Sequence, residues 1–192
     1  MAINETHPQH PNYAIILKER VVEQFFIRLD VVSHCAAELL IVSPVLGTLE
    51  GTRMTVERLR HVIHSHKIRT YLITRHPGDE LTRGAPGHIP ALVTLGKIND
   101  LEIRYNDFLH AKVYLCMCSD RQSSFGVIGS GNMTQTSITN NIEVGVMIKY
   151  SSQGQSLIDE LGYWIKNNLR VRSKMAKPMG KYTQIGGIHG IP

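Results

Sequence analysis

Three short apolar runs, each bordered by a tight cluster of polar groups, constrain this 192-residue chain more than any other feature. Residues 109–118 read Leu-His-Ala-Lys-Val-Tyr-Leu-Cys-Met-Cys. Residues 125–128 run straight into Gly129-Ser130-Gly131-Asn132, and residues 142–150 carry Glu143 near their start. β-rich runs broken by turn chemistry are expected to be neighbouring strands. Side chains two apart share one face of a strand, so His110 and Lys112 are expected to point the same way, with Tyr114, Cys116 and Cys118 continuing that face. Packed side by side, the three runs would bring an imidazole, an ammonium, a hydroxyl, a carboxamide and a carboxylate into one pocket.

The rest of the chain alternates helix-like and strand-like patterns. Residues 14–37 carry apolar side chains at helical spacing and predict one long helix. Residues 38–45 form a β-type run. Residues 52–66 predict a helix with Thr52 as its N-cap. A strand is expected over 68–74, a Gly- and Pro-rich loop over 75–87, a helix over 89–98 and a strand over 101–105. A final helix is expected over 153–169. Together these predict an α/β fold: a mixed β-sheet flanked by helices on both faces. Residues 1–169 read as a single domain. Residues 170–192 read as a basic, glycine-containing tail, with Arg170, Arg172, Lys174, Lys177 and Lys181.

The polar cluster suits phosphodiester chemistry. A phosphoryl transition state needs cationic and neutral donors around its non-bridging oxygens. Lys112 offers a compact charge, and Ser130 and Asn132 offer further donors. Gly129 and Gly131 are expected to let the backbone turn and approach a phosphate closely. His110 can act as nucleophile or acid, and Glu143 is a candidate to orient its ring. Arg75, at the end of the 68–74 strand, is a candidate phosphate contact.

This order of elements resembles the active-site signature of the phospholipase D superfamily, His-x-Lys-x4-Asp followed by Gly-Ser-x-Asn and a downstream carboxylate. His110, Lys112, Gly129, Ser130, Asn132 and Glu143 match it. The family aspartate would fall at Met117; Asp120 lies nearby at the wrong spacing. The variant lacking that aspartate, with Ser-Gly-Asn-Met-Thr after the strand, is most similar to metal-independent DNA-cleaving members, including restriction endonucleases. The resemblance implies catalysis without a metal or cofactor, by two histidines working through a phosphohistidine. Only one His-x-Lys occurs here, so the second imidazole is expected from another copy, in a homodimer with one composite site. The reading is a nuclease acting on DNA, with RNA also open. The alternatives are a lipid phosphodiesterase or phosphatidyl transferase, and a non-catalytic nucleic-acid-binding relative.

Composition bears on the choice of partner. The net charge of +5 and pI near 9.2 suit a polyanion. An apolar content of 42% argues for an ordered chain. No membrane span is expected, since no apolar run approaches ~20 residues. Residues 1–13 lack the pattern of a secretory signal, and the odd count of 3 cysteines suggests reduced thiols, so a cytoplasmic location is expected. Cys116 and Cys118 read as strand packing, and His61 and His64 as a solvated helical face, rather than as metal ligands.

Overall fold

The computed structural model describes residues 13–176. The described residues form one eight-stranded mixed sheet with helices on both faces, as the alternating pattern predicts. In chain order the elements are β1 (Ala14–Leu17), α1 (Val21–Val32), β2 (Ala36–Val42), α2 (Val56–His66), β3 (Arg69–Thr74), α3 (Glu80–Arg83), α4 (His88–Leu95) and β4 (Leu101–Tyr105). Then follow β5 (Val113–Cys118), β6 (Phe125–Gly129), α5 (Gln135–Thr139), β7 (Gly145–Lys149), α6 (Ser152–Trp164), a π-helical turn (Ile165–Leu169), α7 (Arg170–Arg172) and β8 (Lys174–Met175).

The strand order across the sheet is β1-β7-β6-β5-β2-β3-β4-β8. β2, β3 and β4 pair in parallel, joined by crossovers that carry α2 and α4. The remaining pairs are antiparallel. Central β2 reads Ala-Ala-Glu-Leu-Leu-Ile-Val, a nearly continuous apolar run, because both of its faces are covered. Leu39 and Ile41 enter one core with Leu72, Ile103, Tyr114 and Cys116, packed beneath α1, α2 and α4. Leu40 and Val42 enter the other with Tyr71, Ile73, Val113 and Leu115, packed beneath α6 and the π-helical turn through Ile165. Cys116 and Cys118 are buried in the first core, as alternation along the strand predicts.

Several boundaries differ from expectation. Residues 14–37 are not one helix. Ala14–Leu17 pairs with β7 as an edge strand, and the chain breaks at Arg20, which sits in the left-handed region at φ +49°. The apolar residues of β1 fall by chance on the helical stripe of α1, so periodicity alone joined the two. The cap of α2 is Thr55, whose hydroxyl accepts from Arg58 N at 3.1 Å. Thr52 instead donates to Leu49 O at 2.7 Å, in the preceding turn. The loop at 75–87 contains α3, capped by Asp79. Arg170, Arg172 and Lys174 lie inside the fold: α7 leads into β8, which pairs with β4, and Arg170 forms an ion pair with Glu102 at 2.7 Å. Residues 177–192 of the expected tail, and residues 1–12 of the segment read for a leader, lie outside the described residues. No helix among the described residues is long and apolar enough to cross a membrane.

Candidate active site

The site candidates gather where β5 begins, β6 ends and β7 begins. Register explains the convergence. Val113 pairs with Ile128, and Gly129 pairs with Gly145. One step further, Gly129 N donates to Lys112 O at 3.3 Å, and Ser130 N donates to Val144 O at 3.0 Å. Lys112, Ser130 and Glu143 therefore flank the same end of three adjacent strands. The C-terminal ends of parallel β2 and β3, with Ser43 and Arg75, lie at that end as well. The carboxyl ends of parallel strands, at the point where the strand order changes direction, are the usual ligand crevice of an α/β fold.

His110 and Lys112 do not sit within a strand. They lie in the irregular segment 106–112 that leads into β5. That segment is held from both sides. Asn106 Oδ1 accepts from Phe108 N at 3.1 Å, and Arg75 Nε donates to Leu109 O at 2.9 Å. The Arg75 guanidinium also grips Asp79 through Nη1, at 3.0 and 3.2 Å to the two carboxylate oxygens. That hydrogen bond and the nearby charge hold the Asp79 carboxyl below its ordinary range against the opposing effect of desolvation. Arg75 is buried, with Nε committed to the Leu109 carbonyl and Nη1 to Asp79. The imidazole of His110 is exposed, and among the described residues neither it nor the Lys112 ammonium has a hydrogen-bond or ion-pair partner.

Glu143 is buried, and its oxygens are engaged by other residues than the one expected. The Ser130 hydroxyl donates to Glu143 Oε2, and Asn141 Nδ2 donates to Glu143 Oε1 at 3.3 Å. Ser130 Oγ also accepts from Val144 N at 3.1 Å. Within one chain, Glu143 thus locks Ser130 and Asn141, and no hydrogen bond joins it to His110. Asn132 is half-buried, and its Oδ1 meets no hydrogen-bond partner among the described residues.

The glycines serve space rather than turning. Neither Gly129 nor Gly131 has a positive φ; among the described glycines only Gly51 does. A Cβ at Gly129 would come 2.7 Å from Val144 O, and one at Gly131 would come 3.0 Å from Val22 Cγ2. The requirement is for close approach of β6 to β7 and α1, not for left-handed backbone.

No protein-family model matches the chain, and no curated protein matches it by sequence. Solved structures do. Nuc, a phospholipase D family member from Salmonella typhimurium, superposes with a TM-score of 0.59 at 14% identity, over 85% of this chain and 99% of its own. NucT from Helicobacter pylori gives 0.58 at 12% identity, over 85% and 98%. Phosphatidylserine synthase from Haemophilus influenzae Rd KW20 gives 0.53 at 17%, over 86% of this chain and 40% of that one. The chain has the phospholipase D superfamily fold.

At the position where the signature resembled in the sequence would place its aspartate, this chain has apolar packing. Met117 packs against the second core, its Sδ within 3.3 Å of where a Cβ on Gly162 would lie. Asp120 is at the far end of β5 from Lys112. There it caps the turn Arg121–Ser123, accepting from Gln122 N at 3.1 Å. It is a turn residue and does not reach the candidate site.

Other residues that shape the site were not singled out by sequence reasoning. The Tyr114 hydroxyl donates to Gly131 O at 2.9 Å in the core, where burial pushes its phenol pKa upward. Ser43 Oγ accepts from Met133 N at 2.9 Å, and Gly47 N donates to Met133 O at 2.7 Å. These bonds anchor residues 131–133 from three sides. His88, fully buried, accepts from Leu46 N at 3.0 Å and meets Arg75 O at 3.2 Å through its other nitrogen. Burial holds its pKa below the ordinary value. Among the described residues no group of three or more His, Cys, Asp or Glu side chains is arranged to hold a metal ion.

Proposed function

We propose that the chain is a metal-independent phosphodiesterase, a nuclease that favours DNA, with His110 as its nucleophile. The observation that carries the reading is the convergence at one sheet end of an exposed, unpartnered His110, an unpaired Lys112 and the Ser130–Glu143 pair. An imidazole nitrogen of His110 attacks phosphorus, the bond to the leaving oxygen breaks, and the phosphoryl group is carried on His110. A second imidazole protonates that oxygen and then takes a proton from water, which hydrolyses the phosphohistidine. Lys112 and Asn132 hold the non-bridging oxygens, and Ser130 adds a donor whose direction is set by Glu143. Gly129 and Gly131 let this segment lie close against β7 and α1, which sets where Ser130 and Asn132 stand. Arg75 acts as a positioning residue, through the carbonyl of Leu109.

The second imidazole is the partner copy's, in a homodimer with one shared site. Beside the site, Ile16 pairs with Val146 across β1 and β7 and Val144 follows on the same side, all exposed. This apolar strip is the surface assigned to the partner copy. A polyanionic substrate agrees with the net charge of +5. The same chemistry on a phospholipid, or phosphate recognition without cleavage, are the readings it must beat.

The test is to incubate purified protein with labelled single- and double-stranded DNA, RNA and a phospholipid, with and without EDTA. Cleavage of DNA that survives chelation, and is lost in a folded His110→Ala variant, is expected. Chelation that abolishes cleavage would refute the metal-free mechanism, and full activity of His110→Ala would refute the nucleophile. Sedimentation should give a dimer; an active monomer would refute the composite site.

A further inference from the structure

A cleft of about 520 Å³ opens beside His110, and its lining is unusual for a surface. It holds two exposed aromatic side chains, Phe108 and Trp164, and two cations, Arg172 and Lys174. Phe108 is 93% exposed, two residues before the candidate nucleophile. A large apolar ring is seldom left this bare without a use.

The exposure of Phe108 is built in. Asn106 Oδ1 accepts from Phe108 N, and Asn106 Nδ2 donates to Ser173 Oγ at 3.3 Å. Ser173 Oγ in turn donates to Leu169 O at 2.7 Å. Leu109 N donates back to Asn106 O at 3.1 Å, and Arg75 holds Leu109 O. The turn bearing Phe108 is therefore tied through Ser173, the residue after α7, to the π-helical turn that continues α6, and Trp164 and Arg172 flank that turn at either end. Both walls of the cleft are one hydrogen-bonded unit. Arg172 and Lys174 make no ion pair among the described residues, whereas neighbouring Arg170 is committed to Glu102.

We propose that this cleft is a base-stacking subsite for a nucleotide next to the scissile phosphate. Phe108 and Trp164 take the face of an unpaired base, while Arg172 and Lys174 meet the adjoining phosphates. Every base presents a π-face, so aromatic platforms flanked by cations bind a strand without reading its sequence. Inside a duplex that face is already covered by neighbouring bases. The subsite thus assigns the substrate class: a single strand, or a duplex with an unpaired base at the cut. The inference rests on the phosphodiesterase reading of His110, which supplies the neighbouring phosphate.

Trp164 is the chain's only tryptophan, so its fluorescence reports on this cleft directly. A single-stranded oligothymidylate titrated into the full-length His110→Ala variant should quench that emission. Adding Phe108→Ala should weaken binding about tenfold, the loss expected of one base–aromatic stack, and Phe108→Trp should restore it. In the otherwise unaltered chain, Phe108→Ala should raise KM for single-stranded DNA with kcat nearly unchanged. A blunt, fully paired duplex should bind more weakly and respond little to the substitution. Tight oligonucleotide binding with Trp164 emission and Phe108→Ala affinity both unchanged would overturn the subsite while leaving the nuclease reading intact. Conversion of the dimer to a monomer by Phe108→Ala would overturn it too, making Phe108 a partner contact. Quenching by anionic phospholipid vesicles but not by oligonucleotide would overturn it in favour of a lipid. Quenching that depends on Phe108 would support the subsite even if no cleavage of nucleic acid were found, an outcome that sinks only the activity.

Discussion

Removing one oxygen atom, in Tyr114→Phe, tests how the Gly131–Asn132 segment is held. Tyr114 is fully buried, and its hydroxyl donates to Gly131 O at 2.9 Å. Phenylalanine keeps the ring and its packing against Phe25, whose centroid lies 5.5 Å away, so no large cavity forms. What is lost is one buried hydrogen bond, and a carbonyl is left dry. The net value of such a bond is about 1 kcal/mol, rising to about 3 kcal/mol when the abandoned partner finds no water. For a chain of this length that lowers Tm by about 2–12 °C. Urea unfolding followed by circular dichroism should show a lower midpoint with an unchanged m-value. If Asn132 is a phosphate donor, kcat should fall by more than the stability change explains at temperatures where the variant is fully folded. Unchanged stability would show that the 2.9 Å contact does not hold this segment, and unchanged kcat would show that its placement does not matter.

Acid should expose two further groups. His88 has a pKa held below its ordinary 6.5 by burial, so the unfolded chain takes up its proton first; that stability is present above 6.5 and is lost as pH falls below it. His88→Gln should flatten the loss in thermal melts between pH 7 and about pH 5. Glu102 is held below its ordinary 4.5 by hydrogen bonds from Arg170 and then Arg104; its contribution is full above 4.5 and disappears as pH falls through the lowered value. Glu102→Gln should blunt acid unfolding below pH 4.5, with β8 released first in hydrogen exchange. Arg75→Lys keeps the charge but loses the fork that joins Leu109 O to Asp79; activity should drop about tenfold or more with a near-native melt, as expected when a catalytic group is misplaced. Gly129→Ala puts a methyl 2.7 Å from Val144 O and should cost about 1–3 kcal/mol by overpacking, read by urea unfolding.

Much of this fold was legible because its core obeys simple periods. Tyr114, Cys116 and Cys118 alternate with Val113 and Leu115 across β5, and each set enters a different core. β4 lies at the residues its β-type run predicts. β1 was not legible, since an edge strand of four residues leaves too few positions to distinguish period two from the helical stripe that follows. β8 has two residues and exists only because β4 offers it an edge. At the site, residue types and their order pointed to the gathered groups, but the ties between them were hidden. Arg75 to Leu109 spans 34 positions and Tyr114 to Gly131 spans 17, and such pairs follow from sheet register rather than local pattern. The sequence suggests conformational freedom as the role of the glycines, yet what the fold requires of Gly129 and Gly131 is the absence of a Cβ.

Acid-soluble products report cleavage, but the central claim concerns a covalent bond to His110, and rapid quenching into alkali can trap it. With internally ³²P-labelled DNA in EDTA, protein-bound label should appear before product, map to the peptide containing His110, and reach one phosphohistidine per two chains. His110→Ala should carry none. DNA cut at the same rate with no label on the protein at any time would contradict the account.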